Sequence, residues 1–192
     1  MKKKGKSLWS MMSGSIALAA LMKLSGCISA GSNVDPVFTG EMGRNMPEVV
    51  GINLEGQNVK IPDGLEGQDI LVIVAYEREQ QENVNTWIPE LVELEKTNPN
   101  FRFYELPVIY KGGAAFRFWV NNGMRSGITD TPSRLRTITV YTNREAFNQF
   151  LDIPNTDQIQ LLLLNHEKQI VWRSTGDYTP EKYASIKQRI SQ

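Results

Sequence analysis

The chain is predicted to fold as one α/β domain, on three observations. Residues 70–76, Ile-Leu-Val-Ile-Val-Ala-Tyr, are β-branched and apolar on both faces, as a central strand covered on both sides must be. A helical pattern and a second strand follow within about forty residues, the span of a strand–helix–strand unit, which implies a parallel pair. Short alternating segments around turn signals lie at either end, the pattern of added hairpins.

The elements follow in order. Residues 49–54 and 57–61 alternate around Glu55-Gly56 and read as a hairpin. Val84, Trp87, Ile88, Leu91, Val92 and Leu94 keep helical spacing on one stripe, and Pro89 is expected to bend that helix. Asn98-Pro99-Asn100 ends it, and residues 101–110 return as a strand. Phe116, Phe118, Trp119 and Val120, ahead of Asn121-Asn122-Gly123, are expected to cover one sheet face as an amphipathic helix; the alternative is an aromatic platform for a partner peptide. Residues 126–133 read as a loop. Residues 137–142 read as a strand, 144–151 as a helix, 158–164 as a buried strand, and 169–173 as its hairpin partner across Asn165-His166-Glu167-Lys168. Thr179 as cap, Pro180 at the first position and Glu181 in the first turn open a last helix, whose apolar stripe is Tyr183, Ile186 and Ile190.

Ahead of this domain, Lys2, Lys3, Lys4 and Lys6 precede an apolar run, Ile16 to Met22, and then Leu24-Ser25-Gly26-Cys27. The run is far short of the roughly 20 residues that cross a bilayer. The basic start and apolar stretch have the build of a secretory leader, and the last four residues resemble the bacterial lipobox. That resemblance implies cleavage after residue 26 and a diacylglyceryl thioether and N-acyl chain, palmitate-like, on Cys27. It places the protein on a membrane by its lipid, and on the outer membrane facing the periplasm if the host has two membranes. Residues 27–47, rich in Ser, Gly, Asn and Pro, read as a flexible tether, the alternative being that Val37, Phe38 and Met42 dock on the domain as an added strand or clasp; residues 48–192 read as the domain.

Charge and composition exclude several classes. The chain has 21 basic and 21 acidic residues; without the leader's five lysines the balance is 16 against 21, which argues against nucleic acid as a partner. With Cys27 as a thioether the domain has no thiol, so disulfide exchange and thiolate–metal chemistry are not expected. His166 is the only histidine and sits in a turn, poor ground for a metal site or a catalytic triad. Lys111-Gly112-Gly113 has the spacing of neither phosphate-binding loop. No cofactor beyond the lipid is expected, and no catalytic residue is assigned.

The strand at 70–76, the helix with Trp87-Ile88-Pro89, and Phe101-Arg102-Phe103-Tyr104-Glu105-Leu106 resemble the first half of a thioredoxin-like domain. The later strand, hairpin and capped helix resemble the close of redoxins and peroxiredoxins. The resemblance implies a three-layer sandwich: a central mixed sheet, helices on both faces and an N-terminal β-hairpin. In those proteins the redox motif C-x-x-C-x-x-x-x-P ends on the kink proline; here its cysteine positions are Gln81 and Val84. Their cis-proline precedes the hairpin's first strand, where the nearest residue is Pro154. A narrower likeness, from Phe116-Arg117-Phe118-Trp119 through Met124 to Ile128 and on to Ile170-Val171-Trp172-Arg173-Ser174-Thr175-Gly176, resembles mitochondrial assembly factors for the ATP synthase membrane sector, which have a redoxin-like fold.

The expected function is therefore binding: an assembly or scaffold factor for an envelope protein. Its docking groove is expected between residues 77–84, 152–158 and the aromatic segment, with Gln81, Val84 and Phe118 as contacts. The alternative is a cysteine-independent enzyme or solute binder using Arg125, Arg134, Arg136 and Trp172. Three guanidinium groups near one loop suit a carboxylate or phosphate, although pairing with nearby acids is the simpler reading. Glu77, Glu79 and Glu82 after the central strand read as a solvated helix entrance.

Overall fold

A computed structural model describes residues 44–190; the leader, Cys27 and the tether up to residue 43 lie outside the described residues. The elements are β1 (Val49–Asn53), β2 (Asn58–Ile61), β3 (Asp69–Ala75), a 3-10 turn (Arg78–Gln80), α1 (Gln81–Thr97), β4 (Phe101–Tyr110), α2 (Ala114–Gly127), α3 (Thr131–Arg136), β5 (Ile138–Thr142), α4 (Arg144–Phe150), β6 (Gln160–Leu164), β7 (Ile170–Thr175) and α5 (Pro180–Lys187). The strands form one sheet in the order β2-β1-β5-β4-β3-β6-β7. β3, β4 and β5 run parallel, and hairpins add antiparallel strands at both edges.

Alternation along the strands divides the core in two. Ile70, Val72 and Val74 of β3 join Leu106, Val108, Ile138, Val140 and Leu162 against Phe147 and Leu151 at α4. Leu71 and Ile73 join Phe101, Phe103, Leu161 and Leu163 against Val84, Trp87, Leu91 and Leu94 of α1 and Ile186 of α5. β3 is buried on both faces, as its composition requires. Gly51 permits the close approach of β1 to β5: a Cβ there would lie 2.4 Å from Ile138 Cγ2.

Three segments depart from expectation. Residues 44–47, read as tether, are docked: Ile170 N–H donates to the Arg44 carbonyl (2.7 Å), Asn45 bridges Gln169 antiparallel, and Met46 is buried. Asn121-Asn122-Gly123 does not end the aromatic helix, because α2 runs on to Gly127. The Arg134 guanidinium fixes that extension by donating to the carbonyls of Ile128 (2.7 Å) and Arg125 (3.2 Å). The expected loop at 126–133 holds the start of α3, capped by Asp130, whose carboxylate accepts from Ser133 N–H (2.9 Å). Among the described residues no helix is long and apolar enough to cross a membrane.

Candidate binding surface

The C-terminal end of β3 leads through the 3-10 turn into α1, and one buried side chain organises the junction. Gln80 Oε1 accepts from the backbone N–H of Tyr76 (2.8 Å) and Glu77 (3.3 Å), while its Nε2 donates to the Thr156 carbonyl (2.6 Å). This amide clamps the start of α1 to the 154–158 loop. Sequence reasoning missed Gln80; the Glu77-x-x-Gln80 spacing at a helix entrance was the available signal. Beside the clamp, Pro154, Asn155, Asp157, Gln158, Gln160 and Thr175 line a hollow of about 330 Å³. Pro154 is joined in trans; the cis bond among the described residues precedes Pro62.

Other bonds hold the same end of α1. Trp87 Nε1 donates to the Gly176 carbonyl (3.0 Å), Tyr178 N–H donates to Thr86 Oγ1 (2.9 Å), and Asn83 bonds Asp177. Glu77 pairs with Arg144 at 3.0 Å, and that guanidinium lies over the rings of Tyr76 (5.1 Å) and Tyr110 (4.8 Å). Glu79 and Glu82 are exposed, as a solvated helix entrance would have them.

The residues singled out from sequence do not form one site. Gln81 is exposed on the first turn of α1, where its amide reaches Asn85 (3.1 Å). Val84 is 1% exposed and unavailable to a partner, because helical spacing puts it on the core stripe with Trp87 and Leu91. Trp172 packs at the edge of that same core and donates from Nε1 to Ser185 Oγ (2.9 Å). Arg125 and Arg134 both pair with Glu55 at 3.4 Å, and Arg136 pairs with Glu95 at 3.2 Å. β7, which carries Trp172, is at the opposite sheet edge from the hairpin that carries Glu55. The arginines and Trp172 therefore do not converge on one ligand. Phe118 was expected to help cover the sheet, yet α2 buries only Val120 and leaves Phe118 in water. His166 is exposed in its turn.

One buried acid lies under this framework. Glu105 of β4 bridges Thr137, and burial pushes its carboxyl above the usual carboxylate range, against a hydrogen bond from Gln81 and the positive charge of Arg136. With its folded pKa raised, the native state holds this proton more tightly than the unfolded chain. Stability is then fully present below the unfolded pKa and falls as pH rises through the folded one. Glu105→Gln, which removes the titration, is expected to raise the melting temperature by a few degrees at pH 7 and by less at pH 4. An equal shift at both pH values would contradict this.

No known family model matches the chain, and neither does any curated protein sequence. The fold is similar to the thioredoxin domain of a thiol-disulfide oxidoreductase from Bacteroides vulgatus, with a TM-score of 0.52 and 16% identity over 80% of this chain and 100% of that one. The domain is thioredoxin-like. A thiol-disulfide oxidoreductase from Bacteroides fragilis gives a TM-score of 0.51 at 14% identity, covering 76% of this chain and 99% of that one. A member of the Sco family of cytochrome c oxidase assembly proteins gives 0.51 at 9% identity, covering 78% and 95%. Identities this low establish the fold alone. Counted back from Pro89, the spacing of the redox motif falls on Gln81 and Val84, and the chain's one cysteine is Cys27.

Proposed function

We propose that this protein is a lipid-anchored, redox-inactive thioredoxin-like factor that binds an envelope protein during its assembly or holds it in place. The observation that carries the reading is the end of β3. The position of the fold's thiol pair is occupied by Gln81 and Val84, and the neighbouring backbone is held rigid by Gln80 between Tyr76 and Thr156. A preformed polar rim without a nucleophile suits recognition, since little ordering is needed on binding. Exposed Gln81 and Asn155 on either side of the clamp, with the hollow at Gln158, form the docking surface. The Sco-family neighbour and the sequence likeness to ATP synthase assembly factors make assembly the natural setting for such a surface.

The test is crosslinking in the cell from a photoreactive residue at position 81 or 155, in the wild type and in Cys27→Ser. One and the same protein captured from both positions is expected. Cys27→Ser should lose its acyl label. Absence of an adduct from both positions would overturn the binding role, and normal acyl labelling of Cys27→Ser would overturn the anchor.

A further inference from the structure

Helix α2 is amphipathic with its aromatic face turned outward. On that face Phe118 keeps 70% of its surface exposed and Trp119 48%, whereas Val120 is buried; Phe116, though partly exposed, lies on the Val120 side of the helix against Gly112. Helical geometry sets Phe118 and Trp119 on either side of Ala115, opposite the Val120 and Met124 side that meets the domain. Exposed apolar residues scattered singly need no explanation, but large aromatics grouped on one helix face mark an interaction surface.

The charge around this face selects its occupant. From Leu106 to Thr129 there is no acid, and Lys111, Arg117 and Arg125 give the segment three positive charges; the rest of the chain has 18 basic against 21 acidic residues. Arg117 is committed to the helix start, donating to the Gly112 carbonyl (2.8 Å) and lying 5.2 Å from the Tyr141 ring centre. Arg125 is held only by a 3.4 Å surface pair with Glu55, and its side chain remains 46% exposed. Pairing α2 with a second copy about a two-fold axis would set these cations against their equals. An anionic surface would meet them favourably. Aromatic rings on one side of a helix, with cations at its flanks, is the composition of helices that lie in the plane of a bilayer interface.

We infer that α2 rests on an anionic phospholipid surface. Phe118 and Trp119 enter the boundary between headgroups and acyl chains, and Lys111 and Arg125 lie among the headgroups. The inference takes only the tether length from the anchor reading. Sixteen residues separate Cys27 from Arg44, at most roughly 55 Å of extended chain. A domain of this size is about 40 Å across. A chain fixed at Cys27 can therefore lay α2 on the same membrane, leaving the Gln81 surface for a protein.

The test places an environment-sensitive fluorescent residue at Asn122, on the outward side of α2, and as a control at Glu167, in the turn before β7. Full-chain protein, purified as the cell makes it, is combined with phosphatidylcholine vesicles with and without phosphatidylglycerol, carrying quenchers on their acyl chains. Quenching at 122 but not at 167, strongest with phosphatidylglycerol, is expected. Phe118→Ser with Trp119→Ser should abolish it without altering the far-UV circular dichroism, since both side chains are exposed. Lys111→Glu with Arg125→Glu should weaken the contact by about tenfold or more. A residue at 122 that stays in water on anionic vesicles overturns the inference. So does one shielded without lipid, which would indicate self-association, or one shielded only when the protein captured from position 81 is present. Failure of the crosslinking at 81 leaves this readout unchanged.

Discussion

Trp87→Ala is expected to cost about 3–5 kcal/mol of stability, the range for deleting a fully buried aromatic, and to lower the melting temperature by roughly 10–20 °C. Trp87 is wholly buried among Leu71, Ile73 and Leu91, and its ring meets Tyr178 edge-on at 5.4 Å. Its loss opens a cavity on the α1 side of the sheet. It also leaves the Gly176 carbonyl without the indole donor, in a turn where Gly176 holds φ +72°. Trp87→Phe separates the two effects: it keeps most of the apolar surface and removes the donor, which should cost about 1–3 kcal/mol. Urea denaturation of both variants measures the difference. A loss below about 1 kcal/mol for Trp87→Ala would mean that α1 does not depend on this side chain.

Arg136→Ala is expected to cost about 2–3 kcal/mol and to change how stability depends on pH. The guanidinium lies 4.2 Å from the centre of the Phe103 ring, pairs with Glu95, and lowers the proton affinity of buried Glu105. Removing it strands Glu95 and takes away a cation that offsets the desolvation of Glu105. The Glu105 carboxyl should then rise further, and the fall of stability toward neutral pH should become steeper. Arg136 Nη1 is buried with no hydrogen-bond partner, so the side chain is not in its best possible setting and the loss stays moderate. In the background of Glu105→Gln the steepening that Arg136→Ala causes through Glu105 should vanish, leaving only the opposite-signed contribution of carboxylates that Arg136 holds down, such as Asp130. Persistence of the steeper slope in the double variant would show that another group is titrating.

The strands were legible because their burial is written into composition. Ile70 to Tyr76 could be covered on both faces, and the hairpin at Glu55-Gly56 announced its turn. That turn is further set by Asn53, whose Oδ1 accepts from the N–H groups of Glu55 and Gln57. The α2–α3 region was not legible. Asn121-Asn122-Gly123 is poor helix sequence, and what carries the helix through it is tertiary: Val120 buried beneath, Tyr141 Oη donating to Asn121 Oδ1 (2.8 Å), and Arg134 on the last carbonyls. Asp130-Thr131-Pro132 did signal a new helix and was overlooked.

The site was less legible than the fold for similar reasons. The spacing that located Gln81 and Val84 says where the backbone of a motif falls, not which side chains reach water, and Val84 turned inward. Gln80 lies in the wholly polar run from Glu77 to Asn83 and Glu105 is a single acid in an otherwise largely apolar strand, so both read as solvent-facing positions. Their burial comes from contacts with residues distant in sequence, Thr156 for one and Arg136 for the other.

The bridge between Asn45 and Gln169 sets how the domain takes mechanical load. A pull on the amino-terminal segment enters at the β7 edge, through the Arg44 carbonyl and the Asn45 bridge. These contacts join the segment to the outer edge of β7 alone. Because β7 is the outermost strand, lifting residues 44–47 off it would expose Met46 and leave the pairing of β3 and the Gln80 clamp intact. Residues 44–47 are thus a detachable margin of the domain, whose release leaves the two-sided burial of β3 as it was.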